Sequence, residues 1–203
     1  MKKVLIIAGS PRKNGNSDML ARQFAKGAEE SGHQVEIIYL RDLKINYCQG
    51  CLVCLKKGEC FQKDDANSLL PKMMEADVVC FSCPVYYYSV SGQMKTFIDR
   101  MNPLYDKMKD KDFYYMLTAQ DDSHKQLDRA FDVFEGFADC FENIRRCGRV
   151  YGGGADKKGE IKDLPAYRGL RNGKGCVNVF LAKREQSSFS CSAERENTND
   201  GSF

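Results

Sequence analysis

The chain of 203 residues lacks a long hydrophobic run, and no stretch approaches the roughly 18 apolar residues that a membrane-spanning helix needs. Its first ten residues contain two lysines and an apolar run of only five residues, which is too short for the core of a secretory signal peptide. These absences predict a cytoplasmic protein that has no membrane partner.

The chain also lacks a strong excess of either charge. Its 31 basic and 28 acidic side chains give a formal net charge of +3, which provides no reason to expect a nucleic-acid partner. Histidine is scarce, and His33 and His124 are isolated residues without metal-ligand spacing. Apolar residues still make up 42% of the sequence and charged residues 29%, so we expect one folded domain with a sizeable core.

Strand patterns alternate with helix patterns over residues 1–167. A continuous apolar run at residues 4–8 is typical of a strand buried on both faces of a parallel sheet. Because strands alternate with helices, the fold class is α/β with right-handed crossovers. The predicted strands are 4–8, 35–40, 77–83, 113–118 and 149–151, and the predicted helices include 64–75 and 127–144. We expect Asn16 or Ser17 to cap the first helix and Pro84 to end the third strand.

The loop after the first strand, GSPRKNGNS at residues 9–17, is rich in turn-forming residues and precedes a helix. A helix N-terminus with free backbone N–H groups favours a phosphate, and Ser10, Asn16 and Ser17 add donors while Arg12 adds charge. The loop is not a Walker A motif, because no Gly-Lys-Ser/Thr follows, and it is not G-x-G-x-x-G. An anion site and an ordinary strand-to-helix turn are equally good interpretations of its composition.

This loop resembles the phosphate loop of the NADPH-dependent FMN reductase branch of the flavodoxin-like fold. A second segment, SCPVYYYSVSGQMKTFIDR at residues 82–100, resembles the second flavin loop of the same family. Two motifs in the correct order are more specific than either alone, and the resemblance covers residues 1–167. It implies a flavodoxin-like, doubly wound sheet of five parallel strands in the order 2-1-3-4-5, with helices on both faces.

The resemblance also implies bound FMN, with NADPH or NADH as the electron donor. It assigns the FMN phosphate to Ser10, Arg12, Asn14, Asn16 and Ser17. It places Pro84, Val85, Tyr86 and Tyr87 against the isoalloxazine ring. It matches Thr118, Ala119 and Gln120 to the third flavin loop, where the family usually has a glycine. For the tyrosines, packing on the surface or in an interface is the alternative interpretation.

Four cysteines, Cys48, Cys51, Cys54 and Cys60, form a C-x2-C-x2-C-x5-C pattern in a predicted cysteine-rich insertion at residues 44–63. Ten cysteines in a secreted chain would indicate disulfides, whereas in a cytosolic chain they favour metal or redox chemistry. The compact pattern resembles the iron-sulfur flavoproteins of the same family, which hold a 4Fe-4S cluster. Zinc and free thiols stay open as alternatives, although zinc sites usually use two separated C-x2-C pairs.

The expected function is electron transfer from NADPH or NADH through FMN to a quinone, a flavin, a nitro compound or a redox protein. The flavin carries this chemistry, so no protein acid or base is expected to be catalytic. One alternative is a flavodoxin-like electron carrier that docks redox partners and does not use nicotinamide. Another is a metal-binding interaction protein with a degenerate flavin site. The family resemblance implies a homodimer or a homotetramer.

Residues 168–203 depart from this pattern. The fold needs a helix after its last strand, but this segment is polar and rich in serine and shows no helical pattern. One hypothesis is a frameshift, since codons can be chosen for residues 168–176 that, read one base later, encode Gly-Ala-Tyr-Glu-Met-Gly-Lys-Ala-Val. That peptide is a good helix former. The alternative is a genuine divergent tail, and the sequence of the gene decides between the two.

Overall fold

A parallel sheet of five strands lies at the centre of the computed structural model, which describes residues 1–171. The strands are β1 (Lys3–Ala8), β2 (Gln34–Tyr39), β3 (Val78–Tyr86), β4 (Ser89–Val90), β5 (Asp112–Thr118) and β6 (Arg145–Gly152). The parallel strands follow the order β2-β1-β3-β5-β6, and the short β4 pairs antiparallel with the end of β3. The predicted order of the five parallel strands is therefore confirmed.

Helices cover both faces of this sheet because its central strands are apolar on both sides. They are α1 (Asn16–Glu30), α2 (Val53–Lys57), α3 (Ala66–Glu75), α4 (Gly92–Arg100), α5 (His124–Asp139) and α6 (Pro165–Arg171). Leu5 and Ile7 of β1 belong to the core on the face of α3, α4 and α5, whereas Val4 and Ile6 belong to the core on the face of α1 and α6. None of these helices, within residues 1–171, is long and apolar enough to cross a membrane.

Helix α5 and strand β6 differ from their predicted bounds. The helix ends at Asp139 rather than at residue 144, and the strand begins at Arg145 rather than at residue 149. The apolar spacing continues past the helix because the connecting segment also packs on the core. Phe141 contacts Phe137 with ring centroids 5.0 Å apart, and Ile144 is buried.

Two local predictions about loops are also wrong. Pro84 does not end β3, because the strand continues to Tyr86, where Val85 and Tyr86 pair with β4. Proline is tolerated there because β1 pairs with β3 only as far as Ser82, so Pro84 has no partner strand on that side. Gly15 occupies the N-cap position of α1 and none of the described side chains caps the helix, so the predicted caps lie inside its first turn.

The cysteine-bearing segment and the end of the chain contain short helices that the sequence did not reveal. Helix α2 lies among the four cysteines, and α6 runs from Pro165 past residue 167. Helix α6 packs on the same face as α1, with Leu170 buried. The frameshift hypothesis concerns residues that lie mostly outside the described part of the chain.

Candidate functional site

Three loops meet at the carboxyl edge of the sheet, where open parallel sheets bind their ligands. We name them the first loop (residues 9–17), the tyrosine turn (84–90) and the third loop (118–123). The Gly9 N–H donates to the Ser82 carbonyl over 2.8 Å, and the Ser91 hydroxyl donates to the Gly9 carbonyl over 2.7 Å. The first loop is thus held against both ends of the tyrosine turn.

Ser10 and Asn14 shape the first loop. The buried Ser10 hydroxyl donates to the Arg12 carbonyl over 3.3 Å and accepts the Arg12 N–H over 3.2 Å. Asn14 has a φ of 58°, a left-handed conformation that asparagine tolerates better than most residues. The exposed Arg12 lies between them, and the loop leads into α1, whose first turn has backbone N–H groups without intrahelical partners.

A buried ion pair supports the first loop from below. Asp18 is fully buried, accepts the Asn14 N–H over 2.8 Å and pairs with the Arg41 guanidinium over 3.0 Å. Arg41 also donates to the Ser10 carbonyl over 3.3 Å and lies 4.3 Å above the centre of the Tyr39 ring. Sequence reasoning missed both charged residues, because nothing local links position 18 to position 41.

Asn16 and Ser17 connect the first loop to other parts of the edge. The Asn16 amide donates to the Lys157 carbonyl over 3.0 Å, and its oxygen accepts the Gly159 N–H over 2.8 Å. The Ser17 and Thr118 hydroxyls lie 2.7 Å apart, which joins the first loop to the third loop. Asn16 therefore faces the segment after β6, whereas Ser17 lies at the junction of two loops.

The tyrosine turn is a two-residue hairpin with an unusual sequence. Tyr87 and Tyr88 have φ angles of 49° and 59°, as in a type I′ turn, where Asn-Gly is the preferred pair. Each left-handed non-glycine residue costs about 1–2 kcal/mol, and such strain is concentrated at functional sites. The Tyr87 side chain is completely exposed, and Tyr88 lies 5.4 Å below the Arg129 guanidinium.

A cleft of about 270 Å³ separates the tyrosine turn from the third loop. Val85, Tyr87 and Tyr88 line one side, and Ala119, Gln120, Asp121, Gln126 and Leu127 line the other. The Oε1 atom of Gln126 is buried and has no hydrogen-bond partner within residues 1–171. A buried acceptor of this kind is normally satisfied in folded proteins. Sequence reasoning also missed Gln126.

The segment after β6 sets the position of the third loop. A Cβ atom at Gly153 would lie 2.6 Å from the Asp121 carbonyl oxygen, so only glycine allows this close approach. The Ala155 N–H also donates to the Ala119 carbonyl over 2.9 Å. The run of three glycines at residues 152–154 is the sequence signal for this contact.

The cysteine-bearing segment is closed at its base by a buried ion pair. Arg100 donates to the Asp64 carboxylate over 2.6 and 2.9 Å and to the Asn46 carbonyl over 2.7 Å, and both charged side chains are almost fully buried. Burial raises the pKa of Asp64, but hydrogen bonds from Arg100 and from the backbone of Asn46 and Ala66 outweigh it and leave the pKa below its ordinary value. The two ends of the insertion are therefore joined next to α4.

The four cysteines themselves occupy an accessible surface. Cys48 and Cys51 are exposed, and Cys54 and Cys60 are partly buried. The Asn102 amide donates to the Cys54 sulfur over 3.1 Å. Within residues 1–171, no three Cys, His, Asp or Glu side chains are arranged so that they could hold a metal ion. Four thiols are a donor set suited to a metal or a cluster, but these four do not lie close enough together to bind one.

The model of the family described as NADPH-dependent FMN reductase matches residues 2–137. An iron-sulfur flavoprotein of Archaeoglobus fulgidus is 50% identical over 101 residues, which are 50% of this chain and 46% of that protein. An iron-sulfur flavoprotein of Methanocaldococcus jannaschii is 42% identical over 102 residues, which are 50% of this chain and 53% of that protein. The chain spans about half the length of the curated relatives it matches.

Solved structures share the fold at low sequence identity. One is the NAD(P)H:quinone oxidoreductase from Methanothermobacter marburgensis, with a TM-score of 0.62 and 16% identity. The match covers 85% of this chain and 97% of that structure. At this identity, the likeness confirms the flavodoxin-like fold. It does not show which reaction this chain carries out.

Proposed function

Because the chain belongs to the NADPH-dependent FMN reductase family, close to its iron-sulfur flavoproteins, we propose that it is an FMN-dependent oxidoreductase that takes electrons from NADPH or NADH. The observation that carries this proposal is the meeting of the first loop, the tyrosine turn and the third loop at one edge of the sheet. FMN, when bound, accepts a hydride and passes the electrons to an acceptor. The acceptor would be a quinone, a free flavin, a nitro compound or a redox protein.

The residues of the edge divide into two parts that suit the two ends of FMN. The first loop and the start of α1 would hold the phosphate through Ser10, Arg12, Asn14 and Ser17. The cleft beside the tyrosine turn would hold the ring, with Pro84, Val85, Tyr86, Tyr87, Thr118, Ala119 and Gln120 around it. Asn16 would act indirectly, because its side chain already holds the segment after β6.

Nicotinamide use has a direct test. In the absence of oxygen and of any acceptor, NADPH or NADH should bleach the absorption band of the protein-bound flavin, because a hydride moves to the ring. Anaerobic stopped-flow absorption measures this reaction, and dithionite reduction of the same sample gives the full amplitude. A flavin that both nicotinamides leave oxidised, but that a reduced protein donor bleaches, would favour the electron-carrier function instead.

We also propose that Cys48, Cys51, Cys54 and Cys60 bind a 4Fe-4S cluster. Four thiols on an accessible segment with a closed base form a donor set suited to iron. Because the four thiols do not lie close enough together to bind one cluster, the segment would have to change conformation when the cluster binds.

Each of the changes Cys48→Ala, Cys51→Ala, Cys54→Ala and Cys60→Ala should abolish or degrade the cluster, because one iron would lose its protein ligand. Iron and acid-labile sulfide should be measured on protein that is purified and reconstituted without oxygen. The matched control is Cys140→Ala, which removes an exposed cysteine at the end of α5 and should leave the iron content unchanged. Reconstituted protein that carries no iron would exclude the cluster and leave the flavin proposal standing.

A further inference from the structure

The side chain of Asn16, the first residue of α1, makes its hydrogen bonds outside the first loop. Its amide nitrogen donates to the Lys157 carbonyl over 3.0 Å and to the Ala155 carbonyl over 3.4 Å. Its oxygen accepts the Gly159 N–H over 2.8 Å. Because a backbone N–H can only donate, this last contact fixes which end of the amide is the oxygen.

These contacts leave the Asn16 side chain poorly suited to bind a phosphate. An asparagine side chain has two N–H donors, and both already have carbonyl acceptors within the chain. Its oxygen is an acceptor and has nothing to offer a phosphate, whose oxygens are also acceptors. The contacts of Asn16 therefore point to a different role from the phosphate ligand that the family resemblance implies.

The segment that Asn16 holds, which we name the linking segment (residues 152–159), is also attached to the third loop. The Ala155 N–H donates to the Ala119 carbonyl over 2.9 Å, and the Ala119 N–H donates to the Gly152 carbonyl over 3.2 Å. Asn16 and the third loop are thus connected to the same short piece of chain, although they lie more than a hundred positions apart in the sequence.

The linking segment is tightly held between these two attachments. The Glu160 carboxylate accepts the N–H groups of Asp156 and Lys157 over 2.9 and 2.8 Å, which closes a turn at one end. At the other end, the backbone of Gly153 touches the third loop, since a Cβ atom there would lie 2.6 Å from the Asp121 carbonyl oxygen. Because neither end has free space, we expect a displacement of the segment to move the third loop.

We propose that Asn16 is a positioning residue, which acts through the linking segment to hold the third loop in place beside the flavin ring, and that its side chain does not bind the FMN phosphate. Residues 119–121 of this loop line the cleft. The proposal rests on the proposed function, because that function assigns the cleft to the ring. The contact between Ser17 and Thr118 is a second link between the two loops, so loss of the Asn16 side chain should loosen the third loop rather than release it.

FMN and riboflavin differ only in the phosphate, so titrating the apoprotein with each of them distinguishes a phosphate ligand from a positioning residue. Asn16→Ala should weaken the binding of both flavins by the same factor, about fivefold, the effect of about one neutral hydrogen bond. A phosphate ligand would affect FMN alone. In FMN-saturated protein, Asn16→Ala should also shift the visible absorption band of the flavin, because the surroundings of the ring tune its electronic state.

A variant at the other end of the linking segment tests the connection. Gly153→Ala should displace the third loop, because its Cβ atom would collide with the Asp121 carbonyl oxygen, and should also weaken both flavins by equal factors. The double variant with Asn16→Ala should lose less affinity than the product of the two single losses, since both changes act through the same segment.

Each change has a matched control in the chain. The Asn143 amide is exposed and donates to the Asp110 carboxylate over 3.2 Å, and its φ of 56° suits glycine, so Asn143→Gly removes an asparagine amide far from the cleft in sequence. A Cβ atom at Gly136 on α5 would meet no atom within 4 Å, so Gly136→Ala adds a methyl group without a collision. Both controls should leave the two flavin affinities within about twofold of the parent values.

Hydrogen exchange in the apoprotein tests the same connection without any flavin. The Ala119 and Ala155 amides donate the two hydrogen bonds between the linking segment and its surroundings at the third loop. They should exchange at least about fivefold faster in Asn16→Ala than in the parent protein, because the segment has lost an attachment and opens more often. Asn143→Gly should leave both rates unchanged.

The results that would overturn this proposal differ from those that would refute the flavin function. An Asn16→Ala variant that binds FMN more weakly, but keeps the riboflavin affinity and the flavin band of the parent, would make Asn16 a phosphate ligand. If the parent binds riboflavin too weakly to titrate, the band decides. Unchanged exchange at Ala119 and Ala155 would also overturn the proposal. A parent protein that binds neither flavin would refute the proposed function, and the exchange rates would still decide whether Asn16 holds the third loop.

Discussion

Replacing Ser10 and Ser17 together by alanine should lower the affinity for FMN about a hundredfold or more. Each hydrogen bond to a charged group is worth roughly 1.5–3 kcal/mol, so two of them account for a loss of this size. The change also removes the Ser10 contacts that hold the first loop and the link between Ser17 and Thr118. Titration of the apoprotein with FMN, followed by quenching of flavin fluorescence, measures the dissociation constant.

The matched control for this change is Ser31→Ala at the other end of α1. Its hydroxyl donates to the Gly27 carbonyl over 2.8 Å and is exposed, so FMN affinity should stay within about twofold of the parent value. A double variant that binds FMN as tightly as the parent would show that the phosphate does not lie in the first loop.

The Arg100→Met variant should lose about 3–5 kcal/mol of unfolding free energy, because it leaves the Asp64 carboxylate buried without its partner. It also removes the donor to the Asn46 carbonyl, so both ends of the cysteine-bearing segment lose their attachment to α4. Urea unfolding followed by circular dichroism measures the loss. Lys95→Met is the control, since its pair with Asp99 is exposed and should contribute less than about 1 kcal/mol.

The pH dependence of this difference follows from the low pKa of Asp64. A carboxyl group whose folded pKa lies below its unfolded value contributes stability that is present above the unfolded pKa and lost as the pH falls through the folded pKa. The difference between the parent and Arg100→Met should therefore be constant at neutral pH, shrink as acid protonates Asp64, and be lost below the folded pKa of the parent, which lies under the ordinary value of 3.8. A difference that stays constant well below that pH would mean that Asp64 is not the partner that matters.

Several features of this protein could be predicted from short windows of its sequence. The apolar run at residues 4–8 identified a strand buried on both faces, and the alternation of strands and helices identified the parallel α/β sheet. The segments 9–17 and 82–100 predicted the family, and the match of the family model to residues 2–137 confirms it. These features can be predicted because periodicity, turn-forming residues and the spacing within a motif each depend on residues that are only a few positions apart.

The sequence pattern failed where apolar residues continue beyond the element that they begin. Phe141 and Ile144 extend the helical spacing of α5, although they pack on the core from a connecting segment. Pro84 looked like the end of β3, but Val85 and Tyr86 gain a new partner strand and the ladder goes on. In both places packing by distant parts of the chain outweighed the local signal.

Only the tertiary structure determined which charged and amide side chains support the site. Asp18 meets Arg41 across 23 positions and Asp64 meets Arg100 across 36, and no local pattern pairs them. Asn16, a residue of the motif itself, turns to a segment more than a hundred positions away, at Lys157 and Gly159, instead of capping its helix. The buried Gln126 Oε1 atom, to which no described residue donates, could be recognised only from its surroundings. The physical reason is that the sequence of a strand determines which of its faces is apolar. The crossover connections determine which distant polar side chains are buried next to each other, and buried polar groups must then form hydrogen bonds or ion pairs.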